Sequence, residues 1–324
     1  VAETAGEDTA WRLPAPDPFR LAPTVHSHGA FQCPPFRWDA DEVLLLRALP
    51  DLEGRPRGIR ISEVLPTDGV PPPGAYPGPV DLRLETPGWV PSAEERSVLE
   101  ERVVFMLGLD RDLTDFYELC RSDPVLRRIP EIGAGRMLRC PTLWEELVKA
   151  ICGTNVRWSQ AVTMIEAVAS LGKPVKEGES DLRAWPMPRA ILEAGEEWLR
   201  QEARLGYRAP YVIELARRIE EGSLDPGPVE AGALGRDELR ALFLSVPGIG
   251  PTTTDHLLTL YGHTERLSVD AAVIAYMRDR HFGGRTPEED EIRAHFEPYG
   301  RWRALAYWFE LAQESWWPAI GVSF

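Results

Sequence analysis

The sequence predicts an α+β protein: a small N-terminal part rich in antiparallel strands, then a longer, mostly helical body. Three observations carry this. Up to about residue 92 the chain combines frequent prolines with short apolar alternations. Near residue 93 the apolar period lengthens from two to about 3.6. Beyond that point glycines and prolines fall where helices should end. A chain of 324 residues can build two or three compact units around a sizeable core.

In order along the chain, Val43-Leu44-Leu45-Leu46-Arg47 and Val80-Asp81-Leu82-Arg83-Leu84 read as strands. The run Val70-Pro71-Pro72-Pro73-Gly74 reads as a loop between them. Ser92, Glu94 and Glu95 open a helix carrying Val98, Val103, Val104 and Met106. Thr142 with Glu145 has the form of a capping box, and Leu143, Leu147 and Ile151 follow at every fourth residue. Val162, Ile165 and Val168 mark a helix closed by Gly172, and Tyr211, Leu215 and Ile219 another closed by Gly222. Leu239, Leu242 and Phe243 precede Pro247; Leu257, Leu258 and Tyr261 precede Gly262. The last helices hold Val273, Ile274 and Met277, then Trp302 to Gln313.

Composition narrows the function. No apolar run approaches the ~20 residues of a membrane span, and Val1 to Ala10 is polar and acidic, unlike a signal peptide. A soluble cytoplasmic protein with no membrane partner is expected. Cys33, Cys120, Cys140 and Cys152 lack the close spacing of a zinc or iron–sulfur site and read as buried free thiols, so no metal is expected. The net charge of −15 argues against broad nonspecific nucleic-acid binding. It leaves room for a local site of backbone amides and a few arginines. Lys149, Lys173 and Lys176 are the only lysines.

The most informative segment is Leu244 to Asp270. Val246-Pro247-Gly248-Ile249-Gly250 joins two helices. Pro247 stops the first, the glycines permit a tight turn, Ile249 can anchor it in the core, and Pro251 suits the next helix's first turn. Amides of the turn and helix start then face one way and form an anion site suited to a phosphate. The same string also fits an ordinary helix–turn–helix connection. Asp270, twenty positions after Gly250, reads alone as the N-cap of a helix starting near Ala271. That role fixes its orientation, and a fixed carboxylate is what base excision needs as the sugar develops oxocarbenium character.

With these residues the sequence resembles the helix-hairpin-helix (HhH-GPD) DNA glycosylase superfamily, in which a glycine-proline hairpin is followed by a catalytic aspartate. Asp115-Phe116-Tyr117, Asp123-Pro124-Val125-Leu126, Leu147 to Asn155 and Leu205-Gly206-Tyr207-Arg208-Ala209 look like the 8-oxoguanine branch in order and spacing. Phe36-Arg37-Trp38 resembles the signature of that branch's N-terminal β domain. The resemblance covers most of residues 20 to 315. It implies a TATA-binding-protein-like β domain over 1–92, a helical domain of 93–139 with 271–324, and a helical domain of 140–270 carrying the hairpin. It also implies a monomer acting on double-stranded DNA with a damaged base, nucleoid-associated if the source is bacterial. Asp270 would be catalytic, Pro247, Gly248, Ile249, Gly250 and Thr253 would hold the backbone, Asn155 would fill the gap left by the flipped nucleotide, Tyr207 would wedge into the stack and Arg208 would contact the orphaned base. No cofactor is implied, the open exception being a monovalent cation at the hairpin.

The departures matter as much. The 8-oxoguanine branch has a lysine nucleophile where this chain has Thr252, and no lysine follows Lys176, so a Schiff base is not available there. The alkylpurine branch has tryptophan at that place in a string this hairpin otherwise resembles. In the base pocket Cys33 stands for an expected glycine, Ala304 and Trp308 for a glutamine and a phenylalanine, and Ala272 for a histidine. A cationic alkylated purine is already a good leaving group and needs an aromatic pocket. Trp308, Tyr307, Trp302 and Trp158 offer faces for it, each of which also fits plain core packing. The expectation is a monofunctional glycosylase favouring alkylated purines. An 8-oxoguanine-type enzyme with an altered pocket, a noncatalytic damage-binding protein and a helical interaction protein with a chance hairpin stay open.

Overall fold

The computed structural model describes residues 9–64, 78–175 and 182–321. The proline-rich run Val70 to Gly74 and Lys176 lie outside the described residues. Strands β1 (Ala10–Pro14), β2 (Arg37–Asp39), β3 (Leu44–Pro50), β4 (Pro56–Val64) and β5 (Asp81–Glu85) form one antiparallel sheet in the order β1-β5-β4-β3-β2. Both predicted strands are present, as β3 and β5. In β5 the alternation is clean: Leu82 and Leu84 are buried while Asp81, Arg83 and Glu85 face outward. β3 differs, because Leu44 to Leu49 are all buried. One face meets the sheet's own core and the other meets the helical body, so no side of this strand is left to solvent.

The helices are α1 (Leu21–Val25), α2 (Ala93–Leu107), α3 (Thr114–Ser122), α4 (Arg128–Glu131), α5 (Leu143–Gly153), α6 (Trp158–Ala169) and α7 (Pro188–Gln201). They continue with α8 (Ala209–Glu220), α9 (Gly227–Glu230), α10 (Arg236–Leu244), α11 (Pro251–Leu260), α12 (Ala271–Arg280), α13 (Glu289–His295) and α14 (Arg303–Ser315). Ser92 caps α2 through a reciprocal box with Glu95, and Gly108 ends it in the left-handed region. The local period changes at residue 93, but packing runs across it: Leu99, Val103 and Met106 of α2 share a core with Leu45, Ile61 and Leu84 of the sheet. A second, larger core joins α3 to α14 around Phe116, Leu147, Phe243 and Phe309. Among the described residues no helix is long and apolar enough to cross a membrane. All four cysteines are buried and unpaired.

The capping box expected at Thr142 forms only by half. Thr142 Oγ1 accepts from the Glu145 amide at 3.3 Å, but the Glu145 carboxylate does not return to Thr142. It is drawn into a buried ion cluster instead. Arg47 of β3 donates to it, and Lys149 Nζ lies 2.6 Å from its other oxygen. Side chains of Arg47 and Glu145 are each 1% exposed. Desolvation pushes the Glu145 pKa upward, but Arg47 and then Lys149 outweigh it and hold the carboxyl below its usual range. This pair joins the sheet to α5. Removing one partner strands the other in a dry site, so Arg47→Met is expected to lower the unfolding free energy by about 3 kcal/mol, the low end for a buried pair because Lys149 remains. Urea denaturation followed by tryptophan fluorescence measures it, and a loss below about 1 kcal/mol contradicts the assignment.

Candidate nucleic-acid and base-recognition site

The hairpin between α10 and α11 is built as its sequence requires. Gly248 has φ +88°, and a Cβ there would lie 2.6 Å from Tyr211 Cδ2. Glycine is needed both for the left-handed backbone and for the close approach of α8. Ile249 is buried in the body core. Gly250 is extended and caps α11, whose first position is Pro251. The opening amides of α11 have no intrahelical acceptor, and Gly248, Gly250, Thr252 and Thr253 line a cleft.

Asp270 stands across that same cleft as the N-cap of α12. Its Oδ1 accepts from Ala272 N at 2.8 Å and Val273 N at 2.9 Å. Both bonds fall on one oxygen, which leaves Oδ2 for a substrate. Ser268 Oγ donates to Thr252 O at 2.9 Å, tying the approach to Asp270 onto the hairpin helix. The N-cap and catalytic roles are therefore compatible in this geometry.

The cleft has a volume of about 680 Å³, within the usual range of ligand pockets. Its side wall is aromatic. Trp308 stacks on Trp316 at 6.2 Å and lies 5.3 Å from His256 and 6.1 Å from His28. Cys33, Cys140, Glu146 and Lys149 also line it. Burial, then the neighbouring His256 and Lys149, lower the His28 pKa to about 3. Burial lowers that of His256 against the opposing pull of Asp270. Both imidazoles are therefore neutral at pH 7. Burial raises the Cys33 thiol to about 11, so it is no thiolate.

Most residues singled out from the sequence converge here. Asp270, Gly248, Gly250, Thr252, Thr253, Asn155, Cys33, Trp308, Tyr307 and Trp158 all line the cleft. Asn155 is exposed at its mouth with φ +52°, a left-handed position that asparagine tolerates better than most residues. Tyr207 is 50% exposed and lies edge-on to Tyr211, 6.2 Å away. Tyr211 is the side chain that packs beneath Gly248, so the expected wedge stands beside the hairpin.

Three expectations need correcting. Arg208 is not presented to a partner. It is 5% exposed, its Nε donates to Thr154 O at 3.2 Å, and its guanidinium lies over the Tyr207 ring at 4.4 Å. The unsatisfied carbonyl at the end of α5 draws it inward, where it braces the loop holding Asn155. Ala304 is fully buried with its amide on Thr264 O and does not line the cleft; the pocket-facing residues of α14 begin one turn later, at Tyr307. Trp302 packs on Phe116 at 5.4 Å and lines a separate hollow with Asp110 and Arg301.

Sequence reading missed His28, His256, Trp316, Glu146 and Lys149. For the last two a signal existed: Glu146, Lys149, Ala150 and Gly153 share one helical face that ends at Asn155. Elsewhere, donor atoms of His281, His295 and Glu310 lie within 4.8 Å of one another. This group could hold a metal, and none of the three lines the cleft.

No family model matches the chain. It is 24% identical, over 228 residues, to a probable N-glycosylase/DNA lyase of Methanothermobacter thermautotrophicus, covering 63% of this chain and 71% of that one. The solved structure of a 3-methyladenine DNA-glycosylase from Archaeoglobus fulgidus superposes with a TM-score of 0.72 at 19% identity, covering 93% of this chain and 97% of that one. An 8-oxoguanine glycosylase/lyase from Clostridium acetobutylicum gives 0.67 at 18%, covering 94% and 96%. The chain thus has the α+β fold of the helix-hairpin-helix glycosylases.

The neutral, buried His28 gives the site a pH signature. As pH falls below 6.5 the unfolded chain protonates this histidine, while the folded chain does not until about 3. Stability is therefore full above pH 6.5 and is lost as pH falls. Between pH 6.5 and 5 the wild type should lose up to about 2 kcal/mol more than His28→Gln, at ~1.4 kcal/mol per unit. Urea unfolding at both pH values measures the difference, and parallel losses would show that His28 is not buried neutral.

Proposed function

We propose that the chain is a base-excision-repair DNA glycosylase that everts a damaged purine and hydrolyses its N-glycosidic bond without cutting the strand. The observation that carries this reading is the Asp270 carboxylate, fixed by two amides with one oxygen free, across a single cleft from the hairpin amides. The hairpin amides would hold a backbone phosphate beside the lesion. Tyr207 would enter the stack and Asn155 would occupy the emptied place. The flipped base would lie along Trp308 with its sugar at Asp270. As the C1′–N bond breaks, its electron pair leaves with the base. Asp270 Oδ2 stabilises the positive charge on the sugar and orients the water that adds to C1′. The water's spare proton passes to the departing base or to solvent.

The amines support hydrolysis over lyase chemistry. By the resemblance, Thr252 would stand where the lyase branch carries a nucleophilic lysine. Among the described residues Lys149 is the only lysine lining the cleft. Burial opposes its charge, but the Glu145 carboxylate 2.6 Å away favours it, and the pKa is raised on balance. It is held as an ammonium without the lone pair a Schiff base requires.

Asp270→Asn keeps the cap and removes the charge. Folding and binding to abasic-site DNA should survive while base release falls by ~10²–10³. A panel of damaged duplexes read by mass spectrometry measures release, and undiminished excision by this variant rules out the aspartate assignment. Borohydride should not trap the wild type on DNA, and strands should break only after alkali. Efficient trapping contradicts the hydrolytic reading. Tight abasic-site binding with no release of any base points to a damage-binding protein instead.

A further inference from the structure

Away from the cleft, two histidines and a buried carboxylate meet from three successive helices. His281 is the C-cap of α12, His295 is the last residue of α13, and Glu310 lies within α14. One ligand atom from each lies within 4.8 Å of the other two. His281 Nε2 is 2.5 Å from Glu310 Oε1, and the Tyr276 hydroxyl donates to the same oxygen at 3.1 Å. Neither bond uses Oε2. The His281 and His295 rings are 4.2 Å apart and tilted by 50° rather than stacked. Among the described residues the His295 ring has no hydrogen-bond partner.

The group is short of positive charge. Glu310 is 5% exposed, and a buried carboxylate is costly without a cation. Among the described residues its one ion-pair partner is His281, which carries charge only when protonated. Arginines near the ends of these helices are engaged elsewhere: Arg278 on Asp279, Arg280 on Glu314 and Arg293 on Glu289. The carbonyl ends of α12 and α13 also come to this spot, and helix C-termini favour positive charge.

We propose that His281, His295 and Glu310 bind a first-row divalent cation such as zinc. The imidazoles select such an ion over magnesium or calcium, which take oxygen ligands. Zinc bonds of about 2.0–2.1 Å place tetrahedral donors roughly 3.3 Å apart. The ion would replace the proton between His281 and Glu310, which passes to solvent. Their contact would then open by about 1 Å, and the widest pair would close by no more than about 1.5 Å. Water would complete the shell beside the exposed His295, and Tyr276 would keep Glu310 oriented. None of the three ligands lines the cleft, so the inference stands apart from the glycosylase reading. The ion would tie the end of α12, whose start holds Asp270, to α14, which carries Tyr307 and Trp308 of the cleft wall.

The test is calorimetric titration of tag-free, EDTA-stripped protein with zinc chloride, with bound metal counted by mass spectrometry. One zinc per chain is expected, and magnesium should not compete. The thermal midpoint should rise by about 5 °C at roughly hundredfold excess of zinc over Kd. His295→Ala and Glu310→Gln should each weaken zinc about 100-fold or more, since loss of even an outer partner costs about 10- to 100-fold, and the thermal shift should vanish with it. His263→Ala removes a histidine outside the group and should bind zinc as the wild type does. His295 is exposed, so its variant should unfold at the wild-type midpoint when zinc is absent. No binding at micromolar zinc overturns the inference. So does wild-type affinity in His295→Ala, or an equal loss in His263→Ala, either of which places the ion elsewhere.

Discussion

The molecule is organised by one buried line of charge, Arg47–Glu145–Lys149, running from the sheet into α5, a helix that lines the cleft. Each charge is tolerable in a dry interior only because the next is present. Glu145 therefore gives up its local capping role, and α5 is fixed in the rotation that turns Glu146, Lys149 and Ala150 toward the cleft. Asn155 follows directly on that helix, and Arg208 braces its loop through Thr154. The small sheet thus helps set one wall of the site.

The opposite wall depends on helix starts. α11 offers unpaired amides to an anion, while α12 spends two of its amides on Asp270. In the proposed reading the same backbone feature would hold a phosphate in one place, and it orients a carboxylate in the other. Such a site would suit a chain of net charge −15, because backbone amides would supply the phosphate contacts. Ser268 against Thr252 ties the two helix starts together, and Gly248 seats the hairpin against Tyr211 of α8.

What was legible in the sequence was local. Pro247, Gly248, Gly250 and Pro251 each have a conformational reason visible from neighbours in the chain, and the hairpin follows from them. Ser92 with Glu95, and the alternation in β5, were legible for the same reason. The failures arose where a distant partner competes for a side chain. Glu145 matched a capping box, but Arg47, far off in sequence, takes its carboxylate. Arg208 sits in the expected segment, yet the carbonyl of Thr154 turns it inward. Lys149 could be numbered as a rare lysine, but its place in the pocket lining depends on the packing of α5 against β3. Ala304 missed the pocket because a one-turn offset on α14 changes which side chains face it, and Trp302 precedes that helix and packs on Phe116 instead.

The central claim is that one cleft receives both the phosphate and the everted nucleotide. A crystal structure of the protein with a duplex bearing a tetrahydrofuran abasic analogue tests it most directly. The account predicts a backbone phosphate on the amides around Gly248 and Gly250, Asn155 in the vacated position, and the analogue's sugar within contact of Asp270 Oδ2. DNA seated on another face, or a sugar remote from Asp270, would contradict it.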